Sequence, residues 1–373
     1  MKFVILGGYG EIGQVIVEDL FETAKNAEII IAGRDAARAK KFAGSFKNPR
    51  VTSRQADAGN IKKLSKLLKG TDMCINAAQY YYNLNVMRAC LIAKTNYVDL
   101  GGLFHMTKKQ LKLNSLFIKR GLTAALGCGA TPGITNIMIA KASQFFDAIY
   151  EVHIRFGGKD YTNYNQPFTL PYSAQTILDE FSMKAAIFNK KIKMIKPFSD
   201  EEIENFSQPV GKTRCGSILH SELATIPQFL RNKKLRICTF KGGFGEEFSQ
   251  FFLLLTRLGF HKGVARILTI NFLNQFLPAP NTKVRDLEIL RVRITGKRKN
   301  KKQTLVMECT ASSNSKWNAA AGTVDTAVPC SIIAQMIANN QITEKGALPP
   351  EKCVPPEKFF KQLKKRGMKI RIF

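Results

Sequence analysis

Acidic residues are scarce in this chain: 28 Asp and Glu stand against 57 Lys and Arg, a formal net charge of +29 over 373 residues. A field of that sign draws in anions generally, including dinucleotides, dicarboxylates, acyl thioesters, nucleic acid and acidic lipid head groups, and does not choose among them. Histidine is scarcer still, and His105, His153, His220 and His261 include no pair at i, i+4, so no metal site is expected. The eight cysteines, at 74, 90, 128, 215, 238, 309, 330 and 353, form no CxxC pair. They read as reduced thiols of a cytoplasmic protein rather than a disulfide scaffold. There is no internal repeat and no low-complexity linker. The most apolar late stretch, Phe248 to Leu277, is interrupted by Arg257, His261, Lys262 and Arg266, which excludes a single apolar span. It reads as core or dimer contact, with an in-plane amphipathic helix as the alternative. A strand at the amino terminus leads us to expect no secretory or transit segment. The densest basic run, Gly296 to Lys302, holds no aromatic residue for base stacking and lies between two strand-like segments. It predicts a solvated hairpin tip rather than a nucleic-acid patch, and the basic tail Lys361 to Arg371 reads the same way.

What is present is concentrated at the start. An apolar strand, Phe3-Val4-Ile5-Leu6, runs into Gly7-Gly8-Tyr9-Gly10-Glu11-Ile12-Gly13 and then a helical stretch, Gln14 to Leu20. The pattern predicts a dinucleotide-binding turn: Gly8 for a positive φ, Gly10 for close approach of backbone to a pyrophosphate, and Gly13 for helix-on-strand packing. The helix N-terminus would face the phosphates with unpaired N–H groups, making Gly8, Tyr9, Gly10, Glu11, Ile12 and Gly13 cofactor-binding candidates. A second apolar strand, Glu28 to Ala32, follows at βαβ distance and ends in Gly33-Arg34-Asp35. A guanidinium where a ribose-binding carboxylate usually stands points to a 2′-phosphate, hence NADP, while Asp35 keeps NAD open. A third strand, Val51 to Ala56, ends in Asp57, which suits either the adenine edge or a helix cap. The fourth, Asp72 to Ile75, leads into Asn76-Ala77-Ala78, small residues beside the expected nicotinamide ribose. A helix over Asn83 to Ala93 and strands at Tyr97 to Leu100 and Leu122 to Leu126 complete six strands alternating with helices.

The glycine turn, Gly33-Arg34-Asp35, Tyr97-Val98-Asp99-Leu100-Gly101-Gly102 and Gly127-Cys128-Gly129 followed by Pro132-Gly133-Ile134-Thr135-Asn136 together resemble the saccharopine dehydrogenase (saccharopine reductase) family, which also holds carboxynorspermidine reductases and lysine dehydrogenases. Ala321-Gly322-Thr323 and Gly346-Ala347-Leu348-Pro349-Pro350-Glu351 resemble its closing segment. The fold expected is α/β: a doubly wound parallel sheet (Rossmann), residues 1–135, with an α+β substrate and dimerisation domain, 136–320, inserted before a return to the first domain, 321–373. The resemblance implies a homodimeric oxidoreductase that transfers hydride between NADP(H) and a C–N bond of an amino-acid or polyamine substrate. An enoyl or lipid reductase, with Phe244, Phe248, Phe251 and Phe252 lining an apolar pocket, and a non-catalytic NADP binder are the alternatives.

The middle of the chain predicts a strand at Glu151 to Phe156 turned by Gly157-Gly158, a helix from Ser173 to Phe188, an acidic turn at Ser199 to Glu202, and strands at Gly216 to Ile218 and Leu235 to Phe240. Asp99, at a strand end, is a candidate catalytic residue that binds an ammonium or orients a proton donor, or else caps the turn through Gly101. The resemblance places Cys128 beside nicotinamide and substrate, though nothing near it in sequence would lower its pKa. Thr135 and Asn136 can cap a helix or bind a carboxylate. Arg214 is the candidate clamp for an anionic or zwitterionic substrate, and His220, within His220-Ser221-Glu222, the candidate proton relay.

Overall fold

A computed structural model describes residues 1–164, 168–277 and 283–373. The chain divides into two compact units, Met1–Ala140 with Val324–Gly367, and Lys141–Thr323 with Met368–Phe373.

In the first unit, strands β1 (Lys2–Leu6), β2 (Glu28–Gly33), β3 (Val51–Gln55), β4 (Met73–Asn76), β5 (Asn96–Asp99) and β6 (Thr123–Ala125) form one parallel sheet. Their order is β3-β2-β1-β4-β5-β6, reversing direction of growth between β1 and β4. A seventh strand, Gly346–Leu348, adds in parallel beside β6. The expected six strands are therefore seven, because the returning chain contributes one. β1 and β2 are continuous apolar runs because helices cover both faces of a parallel sheet. Val4, Leu6, Ile30 and Ala32 pack with Leu64, Leu68, Val86, Met87 and Cys90 from the covering helices. Helix α1 covers Glu11–Thr23, longer at both ends than its apolar pattern predicts, and the helix Asn83–Ala93 has its predicted bounds.

The second unit is a mixed sheet. β7 (Ala148–Asp160) lies at its centre, parallel to the strand Ile237–Gly243 and antiparallel to Asp286–Arg298. Gly157 and Gly158 do not turn β7 but continue it, since both lie in register with Ile289 and Glu288 of the neighbouring strand. The helix expected over Ser173 to Phe188 covers only Ala174–Ser182, and Ala185–Asn189 is a strand; Ala185, Ala186 and Ile187 pair with Ile195, Met194 and Lys193. The hairpin prediction is met by antiparallel strands Asp286–Arg298 and Lys301–Ser312, with Lys299 and Asn300 at φ of 45° and 65°. The acidic turn at Ser199 to Glu202 serves this sheet: Glu202 leads the strand Glu202–Asn205 and holds Arg155 at 2.6 Å and Lys241 at 3.1 Å. Arg155 is 1% exposed, so this carboxylate holds a buried cation. Phe244, Phe248, Phe251 and Phe252 belong to an aromatic cluster of the second unit. They pack on one another and on Phe156, Phe168 and Phe181, with ring centroids 4.6 to 6.0 Å apart.

The basic tail is also more ordered than a solvated run. Its last strand, Lys369–Ile372, pairs with Met307 to Thr310 and belongs to the second unit, so residues 321–373 do not return as one piece. Among the described residues one helix, Ala321–Ala338, is long and apolar enough to cross a membrane, and 78% of that window is buried inside the structure. Arg366, in the first unit, grips Asp19 of α1 through Nε at 2.6 Å and Nη2 at 3.1 Å, and Ser331 donates to the same carboxylate at 2.6 Å. Asp19 is 1% exposed. Replacement by Arg366→Met leaves a buried carboxylate without its cation, so the unfolding free energy in urea falls by about 3–5 kcal/mol, whereas Asp19→Leu combined with Arg366→Met loses less. Equal losses in the single and double variants would contradict this account.

Candidate functional site

The glycine turn carries its positive φ on Gly7, at 73°, not on Gly8. Gly7 donates to Ala32 O at 2.8 Å, and a Cβ there would lie 2.8 Å from Ala77 O, so the turn is pressed against the loop after β4. A Cβ on Gly13 would collide with Gly7 O, which confirms close packing of helix on turn. Gly10 differs: a Cβ there would meet only Gly7 O, at 3.2 Å. Its bareness serves open space in front of α1. Gly10 is also the N-cap of α1 and makes no side-chain cap hydrogen bond to its first turn. That arrangement fits a pyrophosphate.

Tyr9 ties the turn to the end of β2. Its hydroxyl accepts from Asp35 N at 3.0 Å, its ring fills the space beside Gly33, and the Arg38 guanidinium lies 5.0 Å from the ring centre. Asp35 accepts from Arg38 N at 2.9 Å and so caps the helix Ala36–Ser45. Arg34 is exposed and lines a cavity of about 280 Å³ with Gln55, Ala56, Asp57, Lys63, Leu64 and Leu67. Asp57 accepts from Gly59 N at 2.8 Å, while Asn60 caps the following helix by accepting from Lys63 N at 2.9 Å. Lys63 was not singled out in the sequence, yet a signal existed. A cation in the first turn of a helix opposes the helix dipole, and local stability does not explain it.

Ala77 and Ala78 are partly exposed beside the glycine turn, but Asn76 is buried. Its amide donates to Asn83 Oδ1 at 2.9 Å and its oxygen accepts from Ala78 N at 3.3 Å. Asp99 is 1% exposed and accepts four hydrogen bonds: from Gly101 N at 3.0 Å, Gly127 N at 2.7 Å, Tyr97 Oη at 2.9 Å and Gln110 Nε2 at 2.5 Å. Burial pushes its carboxyl above the usual range against the pull of those four donors. The geometry is that of a turn-capping group that positions the loops after β5 and β6. Cys128 donates its backbone N–H to Asp99 O at 2.8 Å, and burial raises its thiol well above the ordinary value. Such a thiol packs rather than attacks. Thr135 and Asn136 are buried, with Asn136 accepting from Gly133 N at 3.1 Å and donating to Glu351 at 2.8 Å. Asn136 thereby ties the loop after β6 to the Pro350–Cys353 helix.

In the second unit Arg214 is about half exposed and paired with Glu201 at 3.1 Å. His220 is 7% exposed; its ring stacks on Phe240 at 3.9 Å, and Nδ1 meets Glu222 Oε2 at 2.5 Å. Nε2 makes no hydrogen bond among the described residues. Burial works against a charge on His220, but Glu222 and then Glu180 overcome it and hold the imidazole above its ordinary value. Glu180 is itself pushed up to about 7, mainly by burial, with His220 opposing, and it accepts from Tyr172 Oη. Tyr172 and Glu180 escaped the sequence reading. Their signal was an Asp179-Glu180 pair inside the apolar helix Ala174–Ser182, where both carboxylates are buried. No group of His, Cys, Asp and Glu able to hold a metal ion occurs among the described residues.

Adding a methyl at Gly13 tests the turn. Gly13→Ala forces α1 away from Gly7 O, so titration should show NADPH affinity reduced at least about tenfold, with a cost in stability of about 1–3 kcal/mol. Unchanged affinity would separate the turn from nucleotide binding.

Two family models match: the saccharopine dehydrogenase NADP binding domain over residues 3–125, and the saccharopine dehydrogenase C-terminal domain over 129–368. Carboxyaminopropylagmatine dehydrogenase of Synechocystis is 25% identical over 297 residues, covering 75% of this chain and 73% of the relative. Carboxynorspermidine synthase of Vibrio cholerae is 24% identical over 280 residues, covering 68% and 65%. The structure of saccharopine dehydrogenase (L-Glu forming) from Saccharomyces cerevisiae shares the fold, with a TM-score of 0.78, 15% identity and coverage of 100% of this chain and 99% of that one. Homospermidine synthase from Legionella pneumophila, solved with NAD, gives a TM-score of 0.73 at 16% identity, covering 100% and 91%. With both domains matched over nearly its whole length, the chain belongs to the saccharopine dehydrogenase family of NAD(P)-dependent oxidoreductases.

Proposed function

We propose that this protein is an NADP(H)-dependent reductase that forms or cleaves a secondary amine on a polyamine or amino-acid substrate. The observation that carries the substrate class is the buried acid cluster of the second unit, where Glu180 and Glu222 face one histidine and one tyrosine. Carboxylates held out of water recognise an ammonium group strongly, because little solvent screens the attraction. Arg214, engaged by Glu201, leaves the cationic end of a substrate better provided for than the anionic end. The names of the relatives, acting on carboxyaminopropylagmatine and carboxynorspermidine, agree with an amine.

In the reductive direction an amine and a carbonyl compound lose water to form an imine. Hydride addition to the imine carbon and a proton on nitrogen then complete the secondary amine. NADPH, when bound, supplies the hydride. The chain's own residues supply the rest. Gly10 and the start of α1 hold the pyrophosphate, and Arg34 with Lys63 holds the 2′-phosphate. Glu222 fixes His220 through Nδ1, so that Nε2 is the nitrogen that exchanges protons with the substrate amine. Asp99 and Asn136 position the loops after β5 and β6. Asp35 is committed to its helix cap, which supports NADP over NAD. A homodimer, implied by the resemblance, and a cytoplasmic location, supported by eight buried free thiols, complete this reading.

Arg34→Ala should weaken NADPH at least about tenfold while leaving NADH within about twofold, and Lys63→Ala should act in the same direction. Equal losses for both nucleotides would contradict the 2′-phosphate assignment. Turnover is tested by NADPH oxidation with paired amines and carbonyl compounds. His220→Gln should lower kcat about 10²-fold or more without loss of nucleotide binding. Nucleotide binding with no turnover on any pair would favour a non-catalytic binder.

The Glu180 carboxyl has a second consequence. Its folded-state pKa, about 7, exceeds the ordinary 4.5, so its contribution to stability is full below 4.5 and is lost as pH rises to 7. Relative to the parent, Glu180→Gln should therefore gain stability across that window and not beyond it, as read by urea unfolding at a series of pH values. A difference independent of pH would show that Glu180 is ionised throughout.

A further inference from the structure

The helix Gly263–Phe276 presents a face that no described residue covers. Val264, Ile267, Leu268, Phe272 and Phe276 are between 52% and 72% exposed and fall on one half of the helix surface. The other half is anchored: Thr269 and Leu273 are buried, and Arg266 pairs with Asp179 at 2.9 Å. The exposed half carries no charge, its other members being Gly263, Asn271, Asn274 and Gln275. The turn before it and the end of the preceding helix, Glu246–Arg257, add exposed Leu254, Leu258 and Phe260. From Phe248 to Arg285 the sequence has no Asp or Glu and five cations, of which Arg257 and Lys262 are exposed in the turn.

We propose that this face, an apolar stripe roughly 18 Å long with cations at one end, docks the protein in the plane of an anionic lipid surface. Two properties select that occupant. Side chains such as Phe272 and Ile267 gain by leaving water for the acyl boundary, while Arg257 and Lys262 stay at the level of the head groups. The charge of this segment decides against a second copy at this face: from Phe248 to Arg285 there is no carboxylate to pair with its five cations, whereas those cations are drawn to an acidic bilayer. The proposal is independent of the reductase reading and places the protein at a membrane surface.

The test is co-sedimentation of the full chain with vesicles of phosphatidylcholine alone and of phosphatidylcholine mixed with phosphatidylglycerol. Binding to the mixed vesicles at least about tenfold tighter, and weakened by salt, is the expected result. Ile267→Asp with Phe272→Asp should abolish it, and Arg257→Glu with Lys262→Glu should reduce it at least about tenfold while leaving the stripe intact. Circular dichroism melting checks that both variants fold. Failure of the parent chain to prefer anionic vesicles overturns the proposal. So does a dimer in analytical ultracentrifugation that the Asp variant converts to monomer without changing vesicle binding, since the face would then belong to a second copy.

Discussion

The first unit is organised by close approach of bare backbone at the turn between β1 and α1. Gly7 presses on Ala77, and Gly13 presses on Gly7, at distances that exclude even a methyl group. This contact sets α1 directly behind the turn and brings the loop after β4 alongside it. The switch in strand order between β1 and β4 then opens a crevice at the carboxyl ends of the strands. Everything assigned to the nucleotide lies at that edge: the bare Gly10, the uncapped start of α1, and the Arg34 and Lys63 cavity.

This chain has twice as many cations as anions, and several of its few carboxylates hold buried or half-buried cations. Asp19 holds Arg366, Glu202 holds Arg155 and Lys241, and Glu204 with Glu308 holds Arg291. Each pair replaces lost hydration by directed hydrogen bonds, which fixes geometry more than it adds stability. Asp99 is buried with neutral donors alone, and around Glu180 two carboxylates face one histidine.

Several of the candidate site residues carry architectural hydrogen bonds. Asp99 and Asn76 stand at strand ends, where catalytic groups are expected, but their hydrogen-bonding capacity is met by Gly101, Gly127, Tyr97, Gln110 and Asn83. The Gly101 cap of Asp99 is legible at a strand end, but Gln110, 11 residues on, and Gly127, 28 residues on, are not. Asn136 is held by Glu351 across 215 residues of chain. Conversely, the shifted Glu180 carboxyl exists only because packing places it on the buried face of its helix. The helix over Ser173 to Phe188 was overextended for a related reason: propensity does not register that Ala185, Ala186 and Ile187 find strand partners in Lys193 to Ile195.

The sequence by itself determined the parallel sheet, the nucleotide turn, the hairpin around Lys299 and the family, because these rest on local periodicity, glycine spacing and short motifs whose meaning is contained within a few residues of chain. Tertiary structure alone decided which polar groups remain open. It consumed Asp35, Asp99 and Arg214 in local bonds, added Lys63 to the Arg34 cavity, and gathered Tyr172, Glu180, His220 and Glu222 from distant segments. The physical reason is that a side chain's chemistry depends on its solvent and its partners, and long-range packing sets both.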